Sequence, residues 1–220
     1  MKLSFFKSTL LLLCAFICFS GISQTNKTSN KSSKETRVTL ENSSENAEPE
    51  LTDLESILIG ADQYSEYKSL LKNKKVAVVA NQTSITNKNH IVDFLLQEGI
   101  AVQKVFAPEH GFRGKLDAGE IVKDGRDTKT GLPIISLYGK NKKPSDEQIK
   151  NIDVMVFDIQ DVGARFYTYI SSLHYVMEAC AEADIPLLIL DRPNPNGHYI
   201  DGPILEAKHS SFVGMHPVPV

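Results

Sequence analysis

Four short segments hold most of the side chains able to do chemistry, and each follows an apolar run of strand length. Asn81-Gln82-Thr83 follows the first run and Pro108-Glu109-His110-Gly111-Phe112-Arg113-Gly114 the second. Asp158-Ile159-Gln160-Asp161-Val162-Gly163-Ala164-Arg165 and Asp191-Arg192-Pro193-Asn194-Pro195-Asn196-Gly197 follow two later ones. In a parallel sheet the carboxyl ends of the strands share one edge, and ligands bind outside that edge. The spacing therefore predicts that Glu109, His110, Arg113, Asp158, Asp161, Arg165, Asp191, Arg192 and Asn194 gather at a single rim.

Several chemistries are excluded by what these clusters lack. Gly163 stands alone, without the G-x-G-x-x-G of a dinucleotide site, and there is no G-x-x-x-x-G-K-[ST] phosphate loop. No serine sits in a G-x-S-x-G elbow. His110, His174, His198, His209 and His216 are scattered without metal-ligand spacing, although Asp158, Asp161 and a loop histidine could still meet. No cofactor is expected. What remains is a rim of carboxylates, arginines and amides, which suits glycoside hydrolysis. That reaction needs a proton donor at the leaving oxygen. It also needs help for a cationic transition state, from a second carboxylate or from the substrate's acetamido group.

Glu109 is the first candidate for the acid. It follows Pro108 at a strand end, where partial burial would push a carboxyl toward neutrality; an exposed loop carboxylate or cap is the plainer alternative. Asp158 and Asp161 are candidates for the second role, or equally caps of the helix that begins nearby. Arg113, Arg165 and Arg192 could take an anionic substituent in bidentate fashion, or serve as structural ion-pair partners. Tyr167 and Tyr169 open that helix beside the rim, where a ring can stack on a sugar face or simply pack. Asn194 and Asn196 are placed to bond hydroxyls, unless turn chemistry alone explains them. Asn81 and Gln82 join the candidate binding residues.

The elements that must position these groups are legible in the apolar pattern. Lys75–Ala80, Ala101–Phe106, Pro133–Leu137, Val154–Phe157 and Pro186–Leu190 read as strands. Tyr64, Tyr67, Leu70 and Leu71 fit one face of a helix ending near Asn73. Ile91 to Gln97 predicts a short helix stopped by Gly99 in the C′ position. Ser145 with Gln148 three residues on forms a capping box. Phe166, Ile170, Leu173, Met177 and Cys180 alternate by four and three, which predicts a helical core stripe that buries Cys180 and removes it as a nucleophile. Apolar strands separated by helices imply an α/β fold, a Rossmann-like doubly wound and mainly parallel sheet with helices on both faces.

Lys2 and Lys7, an apolar run from Thr9 to Phe19, and small residues Gly21 and Ser23 predict a secretory signal peptide over residues 1–23. The expected location is therefore exported, periplasmic or extracellular. Signal removal leaves Cys180 as the only cysteine, so stability must come from a core and not a disulfide. It also removes two lysines and no acid, moving the formal charge from −3 to −5. So acidic a chain has no broad basic surface for nucleic acid, and no membrane partner is expected after cleavage. Residues 24–50, rich in Ser, Thr, Asn, Lys and Glu, predict a disordered tether. Residues 51–220 are enough for one catalytic α/β domain.

Several motifs resemble the NamZ-type (YbbC-like) exo-β-N-acetylmuramidase family. They are Val79-Ala-Asn-Gln-Thr83, Phe106-Ala-Pro-Glu-His-Gly-Phe-Arg-Gly114, Thr130-Gly-Leu-Pro-Ile-Ile-Ser-Leu-Tyr-Gly139, Phe157-Asp-Ile-Gln-Asp-Val-Gly-Ala-Arg-Phe-Tyr-Thr-Tyr169 and Leu190-Asp-Arg-Pro-Asn-Pro-Asn-Gly197, continued by Gly202-Pro-Ile-Leu-Glu206 and Gly214-Met-His-Pro-Val-Pro-Val220. The similarity runs in order from about Leu54 to Val220. It implies exo-acting release of non-reducing terminal N-acetylmuramic acid from peptidoglycan fragments, in wall turnover or recycling. It also implies a Rossmann-like catalytic domain whose cleft lies at a junction with a second domain. Glu109 falls where the family's catalytic glutamate is expected. Glu206 is a second matched acid, ranked beside Asp158, and the muramic lactyl carboxylate would give a rim arginine a purpose. Family members continue beyond the Pro217–Val220 motif, so the expectation is a catalytic domain without its C-terminal companion. Alternatives from other classes are a non-catalytic wall-glycan binding domain and a metal-dependent hydrolase.

Overall fold

The computed structural model describes residues 57–114 and 123–220. The expected signal peptide (1–23) and tether (24–50) lie outside the described residues. Helix α1 (Tyr64–Leu71) precedes strand β1 (Lys75–Ala80). A two-strand hairpin of β2 (Ile85–Thr86) and β3 (Asn89–His90) leads into α2 (Ile91–Gln97) and β4 (Ala101–Ala107). The chain continues through β5 (Gly125–Arg126), β6 (Pro133–Ser136), α3 (Asp146–Ile149) and β7 (Val154–Asp158). It then forms α4 (Tyr169–Glu182) and β8 (Leu187–Ile189).

The main sheet runs β5-β6-β4-β1-β7-β8, parallel throughout except for the antiparallel β5 edge. Counted along the chain, its five parallel strands lie in the order 3-2-1-4-5. That is the doubly wound order, whose switch point falls between β1 and β7. Alternate residues of β1 feed two cores. Val76, Val78 and Ala80 pack on the α1 and α2 side, while Ala77 and Val79 pack on the α3 and α4 side. A strand buried on both faces needs a continuous apolar run, which Val76–Ala80 supplies.

Local chemistry sets the helix ends. Gly99, at φ +76°, closes α2 with a double bond pattern: Ile100 N–H donates to Leu95 O and Gly99 N–H to Leu96 O. Ser145 and Gln148 make the expected reciprocal cap of α3. The apolar pattern carries no signal for the hairpin. Its two strands are only two residues long, and the turn through Asn87 and Lys88, both at positive φ, is the compact kind that Asn favours.

The stripe expected on α4 is corrected by the structure. Phe166 precedes the helix, and Phe166, Ile170 and Met177 are exposed, at 60%, 40% and 51%. Cys180 is buried as expected and Leu173 packs against the same core, but the rest of the buried face is Tyr169, Ser172, Val176 and Ala179. Both sets obey helical spacing. Only the seat of α4 on the sheet decides between them. Leu70 of α1 is likewise exposed, whereas Tyr67 and Leu71 are buried. Among the described residues no helix is long and apolar enough to cross a membrane.

Candidate active site

Because β1, β4, β7 and β8 are parallel, the four polar loops leave the sheet at one edge. They are tied together there. Thr83 Oγ1 accepts from Gln160 N–H at 3.0 Å, linking the β1 and β7 loops, and Gln160 Nε2 donates to Pro193 O at 2.9 Å, reaching the β8 loop. The β4 loop meets the start of α4 through Thr168 Oγ1, which donates to Glu109 Oε2 at 3.4 Å.

Glu109 stands at the corner of a tight turn closed by Gly111 N–H donating to Pro108 O at 3.0 Å. His110 occupies the next corner at φ +69°, a left-handed conformation uncommon outside glycine. The half-buried Glu109 lines a cavity of about 210 Å³ with His110, Phe166, Tyr167, Thr168 and Tyr169. Tyr167 is 41% exposed, and its ring meets the buried Tyr169 ring edge-on at 5.6 Å. Burial pushes the Tyr169 phenol up; the approaching Asn81 side chain works against that, and the nearby Tyr167 and Glu109 add to it. Asn81 is itself fully buried: its Oδ1 accepts from Thr83 N–H and Oγ1, while its Nδ2 makes no hydrogen bond of full geometry.

Asp158 ends β7 and has no exposed surface. Arg192 grips it in bidentate fashion, Nε to Oδ1 at 2.6 Å and Nη2 to Oδ2 at 3.0 Å, and Nη2 also donates to Ile85 O. Burial pushes the Asp158 carboxyl up and the guanidinium opposes it. Ser84 Oγ donates to the Asp158 backbone carbonyl. This pair ties β7, the β8 loop and the hairpin together and leaves neither group facing solvent.

Arg113 is turned inward between two carboxylates, reaching Asp93 at 2.9 Å and Asp127 at 2.7 Å, and Lys129 completes the cluster on Asp93. The guanidinium, with Thr130, holds the Asp127 carboxyl far below the usual range. Arg165 is engaged by backbone, its Nη1 donating to Pro203 O and Val218 O at 2.8 and 2.6 Å. Asp161, Arg165, Asn194 and Asn196 line a second cavity of about 460 Å³, together with Tyr199 and His216. There Asp161 Oδ2 accepts from Gly163 N–H, and Oδ1 is sealed without a partner. Asn194 Oδ1 accepts from Asn196 N–H, and Asn196 Nδ2 donates to Val162 O at 2.6 Å. Asp191 Oδ1 accepts from Arg192 N–H. Gln82 is exposed and its stem abuts Gly114. Glu206 is exposed and pairs with Lys208 at 2.9 Å. Among the described residues no group of three or more His, Cys, Asp or Glu is placed to hold a metal.

Thus Glu109, His110 and Tyr167 share one cavity, while Asp161, Arg165, Asn194 and Asn196 share another. Asn81 and Asp158 are fully buried and line neither cavity, and Arg192 is held on Asp158. Two contributors to the Glu109 cavity escaped the sequence reading: Thr168, an ordinary residue in an aromatic run, and Phe166, which had been assigned to the core stripe.

A family model described as exo-beta-N-acetylmuramidase NamZ, N-terminal, matches residues 76–220, well over half the chain. The chain belongs to the NamZ N-terminal family. A relative within reach is the peptidoglycan beta-N-acetylmuramidase NamZ of Bacillus subtilis (strain 168), 49% identical over 158 residues, which are 70% of this chain and 38% of that protein. Two crystal structures of DUF1343 family proteins from Bacteroides fragilis NCTC 9343 have the same fold, each at a TM-score of 0.66. They are 48% and 38% identical, covering 74% and 73% of this chain and 42% and 41% of their own. The chain thus spans about two fifths of the length of the relatives it matches. Four of the NamZ-family motifs named above, those that follow β1, β4, β7 and β8, run into the loops of the shared sheet edge, Glu109 included.

Proposed function

We propose that this NamZ-family chain carries the proton-donating site of an exo-acting glycoside hydrolase that releases non-reducing terminal N-acetylmuramic acid from peptidoglycan fragments. The observation that carries this reading is Glu109, a half-buried carboxylate in a cavity of about 210 Å³ walled by the rings of Phe166 and Tyr167. A pyranose has two apolar C–H faces and a rim of hydroxyls. An aromatic wall takes the face, and a carboxyl at the rim reaches the glycosidic oxygen. Glu109 gives its proton to that oxygen as the C1–O bond breaks, and water completes the hydrolysis at C1. Thr168 Oγ1, donating to Oε2, orients the carboxyl. Neither Asp158, held by Arg192, nor Glu206, paired with Lys208, lines the Glu109 cavity. Export, which the pattern over residues 1–23 supports, would bring the site to the wall.

The test is incubation with a disaccharide bearing N-acetylmuramic acid at its non-reducing end, with liberated sugar measured by chromatography. Glu109→Gln should cut release by about 100- to 10 000-fold, the usual range for loss of a general acid. Release that survives this substitution would remove Glu109 from the chemistry. Saturable binding without turnover would favour a wall-glycan binding module instead.

A further inference from the structure

Little holds the Glu109 carboxyl from its own side of the loop. Among the described residues its one side-chain hydrogen bond is the 3.4 Å contact from Thr168 Oγ1, long for a hydroxyl donor. A bend through His110 and Gly111, at φ +69° and +75°, joins Glu109 to Phe112 and Arg113. These two residues are firmly fixed. Phe112 is buried with its ring edge-on to His90, and the Arg113 guanidinium lies 4.6 Å from the Phe112 ring.

Arg113 spreads its fork across two carboxylates. Nε and Nη2 donate to Asp127 at 2.8 and 2.7 Å, and Nη1 and Nη2 donate to Asp93 at 3.1 and 2.9 Å. Both carboxylates are held in turn. Thr130 N–H and Oγ1 donate to Asp127 Oδ2, and Lys129 Nζ donates to Asp93 Oδ2. Asp93 belongs to the first turn of α2 and Asp127 follows β5, so the fork fastens the β4 loop to two other elements.

We propose that this two-carboxylate clamp sets the position of Glu109, and that Arg113 is a positioning residue of the reaction. The inference rests on the muramidase reading. Three observations support it. First, Arg113 lines neither the cavity of Glu109 nor the larger one of Arg165, so its effect on a sugar must pass through the loop. Second, the loop carries four charge-assisted hydrogen bonds at its Arg113 end and one long neutral-donor bond at Glu109, so the carboxyl is placed from the Arg113 end. Third, the geometry exceeds what charge balance requires. A lysine would also neutralise the carboxylates, but only a planar fork fixes an orientation between two of them. Protonation of the glycosidic oxygen needs the acid within hydrogen-bond reach, and a shift of about 1 Å lowers the rate about 100-fold.

The test compares this chain with three variants. Arg113→Lys keeps the charge and loses the fork, and Asp127→Asn keeps the shape and loses one carboxylate. Ile149→Val is the stability control, in the core on the sheet face that does not hold Phe112. Release of N-acetylmuramic acid from the disaccharide gives kcat and KM. Arg113→Lys and Asp127→Asn should each lower kcat about 10- to 100-fold and leave KM within about twofold. Amide hydrogen exchange supplies a second readout. Gly111 N–H, which closes the Glu109 turn on Pro108 O, should speed up about tenfold more than the amides of β1 in both clamp variants. Circular dichroism checks folding, and Asp127→Asn carries the test if Arg113→Lys does not fold. Unchanged kcat in a folded clamp variant, or an equal fall in Ile149→Val, would overturn the clamp and leave the muramidase reading in place. So would a rise in KM matching the fall in kcat, which would give Arg113 a share in binding. A parent that releases no sugar would sink the muramidase reading and this positioning role with it.

Discussion

At the scale of single residues, His90 shows how a titratable group becomes structural. It is buried, caps α2 by accepting from Val92 N–H on Nδ1, and lies 2.9 Å from Asn81 O through Nε2. This bond pattern assigns the proton to Nε2. Burial lowers its pKa, so the folded state holds fewer protons than the unfolded state below the ordinary histidine range. The sign follows directly: the contribution is neutral well above about pH 6.5 and destabilising as pH falls through it. Asp127 works the same way at lower pH. Its depressed carboxyl stabilises the fold above about pH 4 and loses that contribution as pH drops further. Denaturant titrations should therefore show stability falling from pH 7 to 5, and His90→Asn, which keeps a capping side chain, should flatten that fall. An equally steep slope in the variant would assign the loss elsewhere. The sequence pattern does not single out His90, because its ring meets that of Phe112 edge-on at 4.6 Å and Phe112 belongs to a separate loop.

Among elements, the informative unit is the interlocked pair of loops after β7 and β8. Gly163 approaches Asn194 so closely that a Cβ would overlap its amide, and the left-handed φ penalises any other residue as well. Gly163→Ala should lower stability by about 1–3 kcal/mol, read from chemical denaturation. It should also weaken saccharide binding, since Asn194 and Asn196 would move together. A variant of unchanged stability would show that the loops are not interlocked. The same loops explain the fate of the arginines. Their types and spacing suggested anion binding, and Arg192 and Arg113 instead neutralise buried carboxylates while Arg165 satisfies backbone carbonyls. A guanidinium that finds a partner inside the protein is no longer a free anion site.

Across the whole molecule, the two cores differ in what they protect. Cys180 lies in the core that includes Val79, Phe157 and α4, and burial pushes its thiol up to about 11. A thiol reagent should leave it unmodified in the native protein at neutral pH and label it only as fast as the core opens. Rapid native labelling, followed by mass spectrometry, would contradict this seat of α4. That seat is what turns Ile170 and Met177 outward.

The residues themselves determined the layered α/β sheet, the strand runs, the Gly99 stop and the Ser145 cap, since each depends on patterns a few residues long. They also determined that the polar loops share one edge, which follows from parallel strands alone. Tertiary structure decided which face of α4 is buried, that Asp158 is sealed by Arg192, and that Glu109 meets Thr168 and Phe166 rather than a second carboxylate. Those outcomes depend on pairs separated by dozens of residues, such as Asp158 with Arg192 or Glu109 with Thr168. A local pattern records which side chains are available, but the enclosure that makes one a buried ion pair and another a reachable acid arises only when the loops pack.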